Sequence, residues 1–203
     1  MPIPTDKFPS VPSLKYEQIK DLIHSGDIIL CSGKSLFSKL IKRFTDSIWS
    51  HVGFLLRVDQ IGRVVVMESV ESKGVQVVPL SHYVSNYEGG GKPYQGDVLI
   101  ARHSHFDESS INHLSRHAVD LLGHRYDNSE ILRISARIAL SSFLNKRKHD
   151  PLQRDNEYIC SEYVYECYKS VGITIQHNKG GFISPADFAM DENINPLCFI
   201  DKK

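Results

Sequence analysis

"HVGFLLRVDQIGRVVVMESVESKGVQVVPL", residues 51 to 80, contains three short runs rich in β-branched residues, set apart by "DQIG" and "ESKG". Such residues fit a half-buried pleated surface, and turn-forming residues between the runs fold them back on one another, so the stretch predicts a three-stranded antiparallel meander. Upstream, Gly26 and Asp27 lead into the apolar "IILC", a predicted buried strand. "SLFSKLIKRF" then spaces Leu36, Phe37, Leu40, Ile41 and Phe44 along one face of an amphipathic helix. A second Gly-Asp entry, "GDVLIAR" at 96 to 102, predicts another strand; its flanks differ, so the same turn chemistry is used twice without an internal repeat. From residue 107 helices dominate. "DESSINHLSRHAVDLLG" has Asp107 as N-cap and Gly123 as stop, "NSEILRISARIALSSFL" follows, and "NKRKHDPLQRDN" reads as an exposed loop. "NEYICSEYVYECYKSVG" and a Pro-initiated helix in "GGFISPADFAM" complete the chain. Strands come first and helices later without strict βαβ alternation, which predicts an α+β fold with a mainly antiparallel sheet packed against helices.

A chain of 203 residues suits one well-buried domain. Residues 1–25 read as a Pro-rich leader with a short helix at 15 to 24, and residues 26–203 as a single domain. The 24 Lys and Arg residues balance 24 Asp and Glu, leaving no overall field to gather nucleic acid or an anionic membrane. Four prolines interrupt the first 18 residues, so no secretory signal is expected. No segment approaches the roughly 20 apolar residues of a membrane-spanning helix. Cys31, Cys160, Cys167 and Cys198 lie far apart without metal-type pairing, so neither a disulfide framework nor a metal site is expected. A reducing, cytoplasmic setting without a cofactor fits this usage.

Two of these cysteines share the segment from 156 to 172. If Asn156 caps its helix, Cys160 falls in the first turn and Cys167 two turns in, about 10 Å apart along the axis and too far for a disulfide. The unpaired N–H groups and positive dipole end of a helix start favour a thiolate, whereas a mid-helix thiol has no such help. Cys167, in line with Val164, Tyr168 and Val171, reads as core packing. Free cysteine is among the most buried residue types, so Cys160 taken alone reads the same way; a nucleophile needs a base.

Among ten histidines, His51 stands apart because it opens a strand with the unhindered Gly53 two residues on. The next strand supplies Glu68. An antiparallel register with His51 opposite Glu68 sets Gly53 against Val66, Leu55 against Val64 and Phe54 against Val65, with a loop at 58–61. The three consecutive valines also tolerate a slip. In that register the carboxylate orients the imidazole and stabilises its charged form, so nucleophile, base and orienter are all available from this chain.

With "GDIIL", "SHVGFLL", "VVMES", "LLGHRYD", "YICSEYV" and "ISPADF" in this order, the chain resembles the permuted papain-like amidases of the YiiX/YebB-like group. These are relatives of the NlpC-type cell-wall peptidases and of lecithin:retinol acyltransferase-like enzymes. The resemblance runs over nearly the whole chain from Gly26 onward and implies a circularly permuted papain-like (NlpC-type) fold. In ordinary papain-like enzymes the cysteine helix precedes the histidine strand; here the order His, Glu, Cys is that of the permuted branch. The resemblance implies Cys160 as nucleophile, His51 as base, Glu68 as the polar third member and Tyr126 as a residue lining the substrate site. "GHRYD" departs from relatives that often carry proline before this tyrosine. The implied activity is a cysteine hydrolase cleaving a peptide or aminoacyl amide bond through a thioacyl-enzyme. Acyl transfer or lipid acyl hydrolysis at the same site, and a non-catalytic binding module, are the alternatives. Partners are accordingly small-molecule, peptide or lipid substrates with an acyl or amide group.

Three rival features carry less. Cys31 lies between a strand and a helix, and "GKS" beside it fails the spacing of a phosphate loop. His113 and His117 have the i, i+4 spacing of a helical metal pair, but residue 114 is Leu where a metalloprotease needs Glu. The apolar helix at 129 to 143, with Arg133, Arg137 and the following "NKRKH", reads as a core-facing helix or as a peripheral membrane contact.

Overall fold

A computed structural model describes residues 11–126, 159–176 and 183–202. Its elements in chain order are β1 (Ser13–Lys15), α1 (Tyr16–Ile19), β2 (Ile28–Gly33), α2 (Leu36–Thr45), β3 (His51–Val58), β4 (Arg63–Val70), β5 (Gly74–Pro79), α3 (Leu80–Ser85), β6 (Gly96–His103), α4 (Ile111–Asp120), α5 (Cys160–Ser170), α6 (Pro185–Met190) and β7 (Ile194–Asp201). The strands form one sheet in the order β1-β7-β6-β2-β3-β4-β5. All neighbours are antiparallel except β1 and β7.

Strand alternation sends Ile28, Leu30, Val52, Phe54 and Leu99 to the face covered by α4, α5 and α6. Ile29, Cys31, Leu55, Val66 and Ile100 go to the opposite face, under α1 and α3. Burial on both sides explains why "IILC" and "VVVM" are continuous apolar runs and not alternating ones. On α2, Ser35 caps the start by accepting a hydrogen bond from the Ser38 N–H at 3.0 Å.

The expected meander is present, with a corrected register. Phe54 pairs with Met67 and Leu55 with Val66, two residues away from the expected alignment, and the loop comprises 59–62, not 58–61. A slip of two preserves the side-chain period, so every residue keeps its face. The helix expected at 15 to 24 shrinks to the single turn of α1, because residues 13–15 pair with β7 as an edge strand. β7 itself went unread because Pro196 interrupts its pattern. It is tolerated where the β6–β7 ladder shifts register between Ile100 and Ala101, the kind of irregularity in which a strand proline is found. The helix predicted from 107 splits into a 3₁₀ turn at Glu108–Ser110, capped by Asp107, and α4. Position 159, occupied by Ile, is the N-cap of α5. Asn156, the helix expected at 129 to 143 and the loop after it lie outside the described residues.

Candidate active site

His51, the first residue of β3, stands at the end of its strand. Continuing the β3–β4 register sets Glu68 across from Gly53, so the carboxylate meets the imidazole diagonally and not from directly opposite. Gly53 leaves that diagonal clear, and Nε2 of His51 lies 2.6 Å from Oε2 of Glu68. A Cβ on Gly53 would stand 2.9 Å from the Met67 carbonyl oxygen and 3.1 Å from Val66 Cγ1. Gly53→Ala is therefore expected to force β3 and β4 apart and cost about 1–3 kcal/mol by thermal melting, with loss of activity. An unchanged melting temperature would show that the strands yield freely.

Glu68 is 1% exposed and accepts from three donors: His51, Gln76 Nε2 at 2.9 Å on Oε1, and the Tyr83 hydroxyl on Oε2. Burial alone would raise its pKa, but these partners, His51 foremost, hold it below the usual carboxylate range. Burial pulls the His51 pKa down, while its hydrogen bonds to Cys160 and Glu68 outweigh that and push it up to about 10.

Cys160 is the first helical residue of α5 and belongs to the cluster on the α5 face of the sheet. His51 touches both sides because it stands at the strand's end, where its ring bridges from Glu68 to Cys160. As in any helix, the first-turn N–H groups of α5 lack intrahelical acceptors. The Ile159 N–H is satisfied by Glu162 at 3.2 Å. Ser161, fully buried, donates to the Ile183 carbonyl at 2.8 Å and ties the start of α5 to the segment ahead of α6.

That segment and α2 enclose a cleft beside the sulfur, with about 390 Å³ of empty space counting its open mouth. Ile41 and Phe44 of α2, Ile159, Ile183 and Pro185 give it an apolar lining. Tyr126 also lines it, hydrogen-bonded to Cys160 and packed edge-on against Phe37 at 5.9 Å. Burial, then the neighbouring Cys160, raises the Tyr126 phenol well above its ordinary value, so it stays a donor. Its placement depends on Gly74. There φ is +72°, and a Cβ would fall 2.1 Å from the His124 oxygen, the acceptor for the Val75 N–H at 2.8 Å. Gly74→Ala is expected to detach residues 123–126 from β5 and displace Tyr126. A shift of its ring resonances by NMR is the check, and an unshifted spectrum would contradict it.

The rival residues lie as follows. Cys31 is fully buried directly across from His51 on the paired strand, and burial, then the Glu68 charge, pushes its thiol well above the ordinary value. Cys167 is buried in the core with its thiol pushed up to about 12 by burial. His113 is exposed and His117 half-buried on α4. Sequence reasoning missed Tyr83, Gln76 and Ser161. Gln76 was within reach of it, because the β4–β5 register sets it directly opposite Glu68. Tyr83 sits on a helix after the meander, and no local pattern points it at Glu68.

The model of the permuted papain-like amidase enzymes, the YaeF/YiiX, C92 family, matches residues 22–180. The chain belongs to this family. It is a family of papain-like amidase enzymes, and the matched span contains His51, Glu68, Tyr126 and Cys160. The crystal structure of the metalloprotein yiiX from Escherichia coli O157:H7 superposes with a TM-score of 0.60 at 20% identity, covering 86% of this chain and 96% of that one. This likeness fits the permuted papain-like fold. No curated protein sequence matches the chain. Although that structure is described as a metalloprotein, among the described residues here no three His, Cys, Asp or Glu side chains gather into a group that could hold a metal ion. Nor is any helix among them long and apolar enough to cross a membrane.

Proposed function

We propose that this amidase-family chain cleaves an amide bond through a thioacyl-enzyme on Cys160, with His51 as acid and base and Glu68 holding the imidazole. The observation that carries the reading is the meeting of three groups from distant parts of the chain: the imidazole of His51 interacts with both the Cys160 thiol and the Glu68 carboxylate. The sulfur attacks the carbonyl carbon, forming a C–S bond and a tetrahedral oxyanion, which the first-turn N–H groups of α5 stabilise. Collapse breaks the C–N bond, and the amine leaves with the proton carried by His51. His51 then takes a proton from water, whose oxygen attacks the thioester; the C–S bond breaks, and the carboxylic acid and free thiol are released. Tyr126 lines the substrate side of the sulfur.

The apolar lining of the cleft favours a substrate that brings an apolar group to the sulfur. This observation keeps acyl transfer or acyl-lipid hydrolysis in view as a second reading. The four free, buried cysteines accord with a reducing compartment. The test is a panel of aminoacyl amides, short peptides and acyl lipids, competed against an active-site thiol probe. Protection of Cys160 by an amide with release of amine supports the first reading, and transfer of an acyl group to an acceptor other than water supports the second. A protein whose Cys160 stays inert to every probe would be a binding module.

A further inference from the structure

The Glu68 carboxylate is buried under α3, where bulk water does not solvate it, so its charge depends on the donors around it. Oε2 takes both His51 and the Tyr83 hydroxyl, while Oε1 takes Gln76. The Tyr83 ring is fully buried and packs against Tyr87 at 5.1 Å and Tyr94 at 5.4 Å, which also pack on each other at 4.8 Å. Its hydroxyl donates to Glu68, giving a run of contacts from Tyr83 through Glu68 and His51 to Cys160. Tyr83 is absent from the cleft lining, so any influence on chemistry must pass through Glu68.

We propose that Tyr83 is a positioning residue for the Cys160–His51–Glu68 site, its hydroxyl keeping the Glu68 carboxylate charged and aimed at His51 Nε2. This rests on the catalytic reading above. Packing alone would be satisfied by phenylalanine; the hydroxyl is needed because a buried carboxylate with too few donors takes up a proton and no longer holds an imidazolium. The titratable groups around Glu68 are His51 from β3, Cys31 from β2, Tyr83 from α3, and Tyr87 and Tyr94 from the loop that follows. Burial pushes Cys31 and all three tyrosines up, away from the acid range. An acid limb therefore reports the Cys160–His51–Glu68 assembly as a unit.

The experiment is the alkylation rate of Cys160 by chloroacetamide across the acid and neutral range, read on the Cys160 peptide by mass spectrometry. It compares the 203-residue chain with Tyr83→Phe, Gln76→Leu and His51→Ala. Tyr83→Phe is expected to move the acid limb up by about one pH unit, a roughly tenfold slower reaction on that limb. Gln76→Leu, stripping the other oxygen, should shift it in the same direction. Should Tyr83→Phe fail to fold, site-specific 3,5-difluorotyrosine at position 83, a stronger hydrogen-bond donor of nearly the same shape, takes its place and is expected to move the limb down. A limb that stays where the unmodified chain has it, in whichever of these Tyr83 replacements is folded, overturns the role of Tyr83. Equal labelling of His51→Ala and the unmodified chain overturns the catalytic reading instead, so the two failures are told apart.

Discussion

Cys160→Ala is expected to abolish turnover, by about 10⁴-fold or more, while the protein remains folded. The magnitude follows from a reaction routed through a C–S bond, for which a methyl group offers no substitute. The fold survives because the change removes one atom from a side chain that, although buried, borders the cleft, a loss of about 1 kcal/mol or less in thermal melting. Cys167→Ala supplies the contrast: it removes a similar atom from a fully buried site, so it should lower the melting temperature and leave the rate nearly intact. Cys160→Ala with full activity on a verified substrate would end the proposal.

His51→Ala is expected to lose as much activity as Cys160→Ala, since the two act as a unit, and the double variant should be no worse than either single one. It should also cost about 3 kcal/mol of stability, because the buried Glu68 carboxylate loses its charged partner and retains only Tyr83 and Gln76. The pH dependence carries a sign for each partner. The His51 pKa is raised from 6.5 to about 10, so the stability it contributes is complete below 6.5 and is lost as pH rises through about 10. The Glu68 pKa is lowered from 4.5, so its contribution is complete above 4.5 and is lost as pH falls through the depressed value. Melting temperature against pH should thus fall on both sides of a plateau, and His51→Ala should flatten the alkaline side. An alkaline limb identical in variant and parent would contradict the pairing. Glu68→Gln is expected to hurt less than losing His51, provided the amide oxygen takes the place of Oε2. The amide nitrogen then opposes the Gln76 donor, so some stability is lost even so.

Which residues line each face of the sheet, and with them the side from which His51 and Glu68 meet, was legible from strand alternation alone. Side-chain direction alternates with a period of two, so the expected and observed registers, two residues apart, send Leu55, Val66 and Glu68 to the same face. Strand limits in "HVGFLLRV" and "RVVVMESV" were legible because Gly62 and the surrounding polar residues punctuate them. The amphipathic α2 was legible from its apolar spacing, as was the place of Cys160 in the first turn of α5. Strand alignment and long-range company came from packing between distant elements. Three consecutive valines are interchangeable partners, so packing elsewhere chose the register, and the absent side chain of Gly53 let Glu68 reach His51 diagonally. β1 and β7 pair across nearly the whole chain, which no local pattern encodes. Tyr83 serves Glu68, and Ser161 holds the cleft segment, through single side-chain hydrogen bonds between separate elements; such bonds leave no periodicity to read.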